Sequence, residues 1–171
     1  MASITANSIS IEYETFGNPA DRPLLLIMGL GAQLTRWPET FCQLLAARGQ
    51  YVVRFDNRDV GLSQKLDAAG VPNMAQIFAQ AMAGESVSAA YNLSDMASDA
   101  AGLLDALGIT AAHVCGASMG GMIAQVMALE HGARVKSLTS IMSTTGNPTL
   151  PSATPAASAA LMSAAGTKLE E

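Results

Sequence analysis

The sequence predicts an α/β fold, a mostly parallel sheet with helices on both faces. Three observations carry this. The run Leu24–Met28 is continuously apolar, as strands buried on both faces are, whereas half-exposed strands alternate. Such runs take turns with helix-patterned segments, the order that builds parallel crossovers. Glycines also cluster just after strand-like runs, at Gly29–Gly31 and Gly116–Gly121, the strand ends where α/β sheets bind ligands.

Each element has its own signal. Ile4 to Phe16 alternates apolar and polar residues about an Asn7-Ser8 turn and reads as an antiparallel hairpin at a sheet edge. Pro23 introduces the strand Leu24–Met28, and Thr40–Arg48 forms a short helix, with Phe41, Leu44 and Leu45 as its apolar face and Gly49 as its stop. Tyr51–Phe55 is the next strand. The polar loop Asp56–Ser63 is either a solvated turn or a charged network propping the glycine loop from behind. The second reading is favoured, because an Asp/Arg pair beside a ligand-facing loop can be held and satisfied there. Gly70–Ser88 is rich in Ala and Met, with helical patterning too weak to place. Leu93–Leu107 is a clearer helix, capped by Ser94, with Asp95 in its first turn and Met96, Ala100, Leu103, Leu104 and Leu107 as its stripe. His113–Cys115 is a strand. Gly121–His131 is apolar nearly all round and should be the buried central helix, and Val135–Met142 reads as a last strand.

Composition excludes several classes of function. The chain has 171 residues, half of them hydrophobic, enough for one domain with a real core. A formal charge of −5 with no basic run argues against nucleic acid or an anionic membrane as partner. The longest strongly apolar run is far too short to span a bilayer, and the N-terminus lacks a signal-peptide pattern. Cys42 and Cys115 lie in apolar segments and read as reduced core residues of a cytoplasmic protein. No metal-ligand cluster or phosphate loop stands out, and Gly29-x-Gly31 lacks the third glycine of a dinucleotide site. Neither metal nor cofactor is expected.

The chemistry concentrates in Gly116-x-Ser118-x-Gly120. A serine at a sharp strand-to-helix turn stands clear of the backbone but takes a strained conformation. Glycines two before and two after it remove collisions with strand and helix. The Met119 amide then falls in the first helical turn, where N–H groups lack internal partners and can hold a developing oxyanion. A Gly/Ser turn that merely packs a helix onto a sheet is the blander alternative.

With these residues in hand, the chain resembles the α/β-hydrolase fold family, and most of all the esterase branch that includes anthracycline methylesterases. The likeness rests on Gly29-Leu30-Gly31-Ala32-Gln33, on Arg54-Phe55-Asp56-Asn57-Arg58-Asp59-Val60-Gly61-Leu62-Ser63 and on Gly116-Ala117-Ser118-Met119-Gly120-Gly121. It implies Ser118 as nucleophile, the Leu30 and Met119 amides as oxyanion donors, and Gly29, Leu30 and Met119 as the substrate-binding wall. It also implies a small-molecule ester as substrate. Residues 1–145 would be the N-terminal part of the hydrolase core, and 146–171 a linker or the start of a lid region. Two departures stand out. Met28 occupies the place where many members have histidine, and Asp59 a place that often holds glycine.

The family order of triad residues is Ser, then Asp or Glu, then His. His131 lies thirteen residues beyond Ser118, roughly 20 Å along a helix. His113 lies five before it, roughly 16 Å along a strand. Neither can reach the serine, and both read as ordinary polar residues near element ends. Met142-Ser143-Thr144-Thr145, where some members carry the acid, has no carboxylate. The general base and acid are therefore expected from a second chain or from a C-terminal segment outside this sequence. By family comparison the lid and last strands are expected to lie outside it as well, leaving Val135–Met142 as an open, apolar edge.

Overall fold

Alternation along the buried strands sorts their side chains between two helical layers. The computed structural model describes residues 1–71, 73, 76–77, 79–80, 83–147, 149–151 and 153–162. Strands β1 (Ala2–Ala6), β2 (Ile9–Phe16), β3 (Arg22–Ile27), β4 (Gln50–Phe55), β5 (Ala112–Ala117) and β6 (Val135–Ile141) form one six-stranded sheet in the order β1-β2-β4-β3-β5-β6. Leu25, Ile27, Val53, Phe55 and Val114 face one core, which also holds Met96, Ala100, Leu103 and Leu104 of helix α2 (Leu93–Ala106) and Ile123, Ala124 and Met127 of helix α3 (Met119–Glu130). Their sequence neighbours Leu26, Val52 and Cys115 face the other way, against Trp37 and against Cys42 of helix α1 (Glu39–Ala46). This is why the runs are apolar without alternation: both strand faces are covered.

The sheet is mixed. The hairpin β1–β2 is antiparallel and joins β4 antiparallel, while β3, β4, β5 and β6 pair in parallel. Asn7 and Ser8, at φ 47° and 65°, supply the two positive-φ residues that a tight hairpin turn with native twist requires. β3 sits between β4 and β5. The chain moves outward from β3 to β4, then returns past it to β5, so strand order reverses at β3 and a crevice opens beyond the carboxyl ends of β3 and β5.

Several expectations are corrected in detail. The cap of α2 is Asn92, not Ser94. The Asn92 side chain accepts from the Ser94 and Asp95 amides, and Asp95 Oδ2 accepts from the Asn92 amide at 2.8 Å, a reciprocal box that Ser94 cannot make. The inward face of α1 is Cys42 with Leu45, whereas Leu44 is 59% exposed. α3 starts at Met119 rather than Gly121 and is not buried all round, since Leu129 is 85% exposed. The Ala/Met-rich stretch includes helical residues at 76–77 and 79–80, with 72, 74, 75, 78, 81 and 82 outside the described residues. Beyond β6, Pro155–Met162 is helical and forms α4. Both cysteines are free and buried, and burial pushes both thiols above their ordinary pKa. Among the described residues no helix is long and apolar enough to cross a membrane.

β6 is the outermost strand on its side among the described residues, with Leu138 and Ile141 each 39% exposed. Unpaired N–H and C=O groups beside apolar side chains invite pairing with another chain. The isolated chain should therefore run as oligomers on size exclusion, and Leu138→Lys, a charge on the edge, should shift it toward monomer. A monomeric, cooperatively unfolding wild-type chain would contradict this.

Candidate active site

Ser118 follows the last residue of β5 and precedes the first of α3. Its backbone lies at φ 55°, ψ −125°, a region costly for any residue with a side chain. Three contacts hold it there: its amide donates to the Ile141 carbonyl at 2.9 Å, and its carbonyl accepts from the Gly121 and Met122 amides at 2.9 and 3.3 Å. The hydroxyl is left at an exposed turn.

The glycines around Ser118 are sites of close approach. A β-carbon on Gly116 would overlap the Gly120 carbonyl, and one on Gly120 would overlap the carbonyls of Ile27 and Met28. A β-carbon on Gly29 would lie 3.0 Å from Ser118 Cβ and 3.4 Å from Ser118 Oγ. Thus the end of β3, the elbow and the first turn of α3 meet backbone to backbone. Gly29 is buried against the serine, Leu30 is 81% exposed beside it, and Met119 is half-buried. Met119 is the first residue of α3, so its N–H has no acceptor within the helix.

The loop from Gly29 to Pro38 is held by β4 and the polar loop after it. Asp56 is 3% exposed. One of its carboxylate oxygens accepts from the Leu34 amide at 2.6 Å and the other from the Leu62 amide at 2.9 Å. Asn57 Nδ2 donates to the Met28 carbonyl at 2.9 Å, and Arg54 donates to the Trp37 carbonyl. Arg54 is itself paired with Glu14 and lies over the Phe16 ring. Burial works against the charged form of Glu14, but the Arg54 bond and charge outweigh it and hold the carboxyl below its ordinary pKa.

A polar network behind the glycine loop is therefore present, built by Asp56 and Asn57 with Arg54 of β4 and not by an Asp/Arg pair within the polar loop. Arg58 does not brace that loop. It pairs with Asp99 of α2, at 2.6 Å from Nε and 2.7 Å from Nη2, and this bond raises the Arg58 pKa. Asp99 is 2% exposed and also accepts from Asn7 Nδ2 at 2.8 Å, tying the hairpin turn to α2 and to the polar loop. Asp59 adopts φ 64°, the left-handed conformation that favours glycine. Its Oδ1 accepts from the Leu66 amide at 2.6 Å, a local bond of the kind that lets Asp sit there.

Beside the elbow lies an apolar cavity of about 410 Å³, walled by Met28, Trp37, Phe41, Ala117, Ile141 and Met142. Trp37 stacks on Phe41 with ring centroids 5.8 Å apart. Nothing in the sequence marks this wall, because Phe41 reads there as a core residue of α1. The histidines lie elsewhere: His113 Nδ1 bonds Ser137 Oγ at 2.7 Å, and His131 Nε2 meets Ser98 Oγ at 3.4 Å. Among the described residues no histidine or carboxylate is bonded to Ser118 Oγ, and no group of three or more His, Cys, Asp or Glu is placed to hold a metal ion.

Two substitutions test this architecture. Gly120→Ala should cost roughly 2–4 kcal/mol through backbone overlap, read as a lowered urea midpoint at unchanged m. Asp56→Ala leaves the buried Leu34 amide and the part-buried Leu62 amide without acceptors and should cost about 2–3 kcal/mol. Its more specific signature is faster hydrogen exchange at the Leu34 amide, with the α2 core still protected.

Comparison with known proteins agrees with this geometry. The family model described as the alpha/beta hydrolase fold matches residues 22–167. Rhodomycin D methylesterase DauP of Streptomyces sp. strain C5 is 38% identical over 136 residues, 80% of this chain and 40% of that protein. Rhodomycin D methylesterase DnrP of Streptomyces peucetius is 36% identical over 136 residues, with the same coverage of 80% and 40%. The chain thus spans about two fifths of the length of these relatives. Among solved structures, a membrane phospholipase A described as a bacterial virulence factor superposes with a TM-score of 0.67 at 28% identity, covering 84% of this chain and 39% of that one. From its sheet order, its elbow and these matches, the chain belongs to the α/β-hydrolase fold family.

Proposed function

We propose that this chain carries the nucleophile and oxyanion donors of a serine carboxylic-ester hydrolase. The observation that carries the reading is Ser118, strained at φ 55° and exposed at the turn into α3. Attack of Ser118 Oγ on an ester carbonyl moves the carbonyl electron pair onto oxygen, and the amides of Leu30 and Met119 stabilise that charge. Collapse expels the alcohol and leaves an acyl-enzyme, which water hydrolyses. Backbone donors suit this task because they are fixed before the charge develops, and removing one such donor typically costs about 10²- to 10³-fold in rate. The general base and its orienting carboxylate come from sequence outside this chain. The names of the related methylesterases support a small ester as substrate.

A second reading has one observation in its favour. His113 and His131 are both engaged with other serines, which suits a non-catalytic module that binds an apolar ligand or a partner. A fluorophosphonate probe separates the two. In the complete assembly, the hydrolase reading expects labelling at Ser118, located by peptide mass spectrometry, and loss of both labelling and ester cleavage in Ser118→Ala. Retained cleavage in that variant would overturn it, and absence of labelling would favour the binding module.

A further inference from the structure

Charge is unevenly satisfied among the arginines. Arg54, Arg58 and Arg134 each close on a carboxylate. Arg36 closes on none among the described residues, and the acid nearest to it in the chain, Glu39, is engaged with Gln43 Nε2 at 2.7 Å. Arg36 is exposed and borders two concavities at once. One is the apolar cavity between Trp37 and Met142. The other is a recess of about 340 Å³ over Leu30, Gly31, Ala32 and Gln33, in the loop that begins at Gly29 against Ser118. Among the described residues no Asp or Glu lines either concavity.

A guanidinium with no carboxylate partner among the described residues, at the mouth of an apolar wall, is a selective arrangement. The wall desolvates a hydrophobic body, and the planar fork of N–H donors matches a carboxylate or a similar anionic oxygen group. A cationic ligand group would meet Arg36 with no carboxylate in the lining to offset it. We propose that Arg36 is a specificity-determining residue that selects amphiphilic substrates: an apolar body in the cavity beside Trp37, and a second, anionic oxygen group held at the rim, apart from the ester to be cleaved. The word substrate rests on the hydrolase reading. The preference for an anion does not, because it belongs to the pocket and can be measured without turnover.

Trp37 is the only tryptophan of the chain and lines the cavity, so its fluorescence reports occupancy of this pocket. The protein, in the assembly in which it purifies, is titrated with octanoate and separately with octanamide. These share a chain length, and neither absorbs where tryptophan is excited. Octanoate should bind about five- to tenfold tighter, as expected for one partly exposed charge-assisted contact, and the advantage should shrink with added NaCl. Arg36→Gln should bring octanoate down to the affinity of octanamide and leave octanamide unchanged, while Arg36→Lys should keep part of the preference. Equal binding of the two ligands to the wild type, an undiminished preference in Arg36→Gln, or no Trp37 response to either ligand would overturn the proposal. Fluorophosphonate labelling of Ser118 separates the two ideas. An anion preference without labelling would leave Arg36 standing and sink the hydrolase reading, and labelling without an anion preference would do the reverse.

Discussion

Three backbone segments approach one another more closely than any side chain would permit. The end of β3, the turn at Ser118 and the first turn of α3 meet at Gly29, Gly116 and Gly120, where an added β-carbon would touch the serine or overlap a neighbouring carbonyl. Everything local to the site depends on this. It aligns α3 on the sheet, sets Met119 at the helix start, and forces Ser118 into a conformation that only firm neighbours can hold. The cost of that conformation is distributed. The Ser118 amide and carbonyl are both bonded, and the apolar contacts of Ile123, Ala124 and Met127 fix the helix that receives it.

The glycine loop is anchored by the burial of its own Leu34 and Trp37 and is held as well by polar groups on β4 and just beyond it. Arg54, Asp56 and Asn57 reach three successive points of the loop, at Trp37, Leu34 and Met28. Buried carboxylate-to-amide bonds are stronger than neutral ones and costly to leave half-made. The loop is therefore specified by a neighbouring strand as well as by its own buried Leu34 and Trp37. Asp99 does a similar job one layer away, gathering Arg58 and Asn7 onto α2.

Much of this was legible in the residues. Continuous apolar runs identified the central strands, and the Gly-x-Ser-x-Gly spacing identified the elbow, because both patterns follow directly from sterics. The inward face of α1 was not legible. Phe41 and Leu44 are the larger apolar residues, yet Cys42 fits the narrow space against the sheet, and Phe41 is drawn outward by stacking on Trp37. The cap of α2 is ambiguous in the sequence because Ser94 and Asn92 are both good cap residues. Only the reciprocal bond from Asp95 distinguishes them, and Asn92 followed three residues later by an acid was the available signal. Asp99 has a subtler signal. It lies three residues after Met96 and four before Leu103, inside the apolar stripe, and a lone acid at that register implies a buried partner.

The exposed Leu30 side chain bears on how such a site can diversify. On the proposed mechanism, residues 30 and 119 contribute only their peptide groups, which every amino acid except proline possesses. Leu30 is 81% exposed and packs into neither core cluster. Its identity can drift with little cost to folding and none to the donor it provides. A lineage of such proteins could thus explore new ligands by changing what surrounds a constant main-chain cradle, with selectivity and reactivity encoded by different atoms of the same residues.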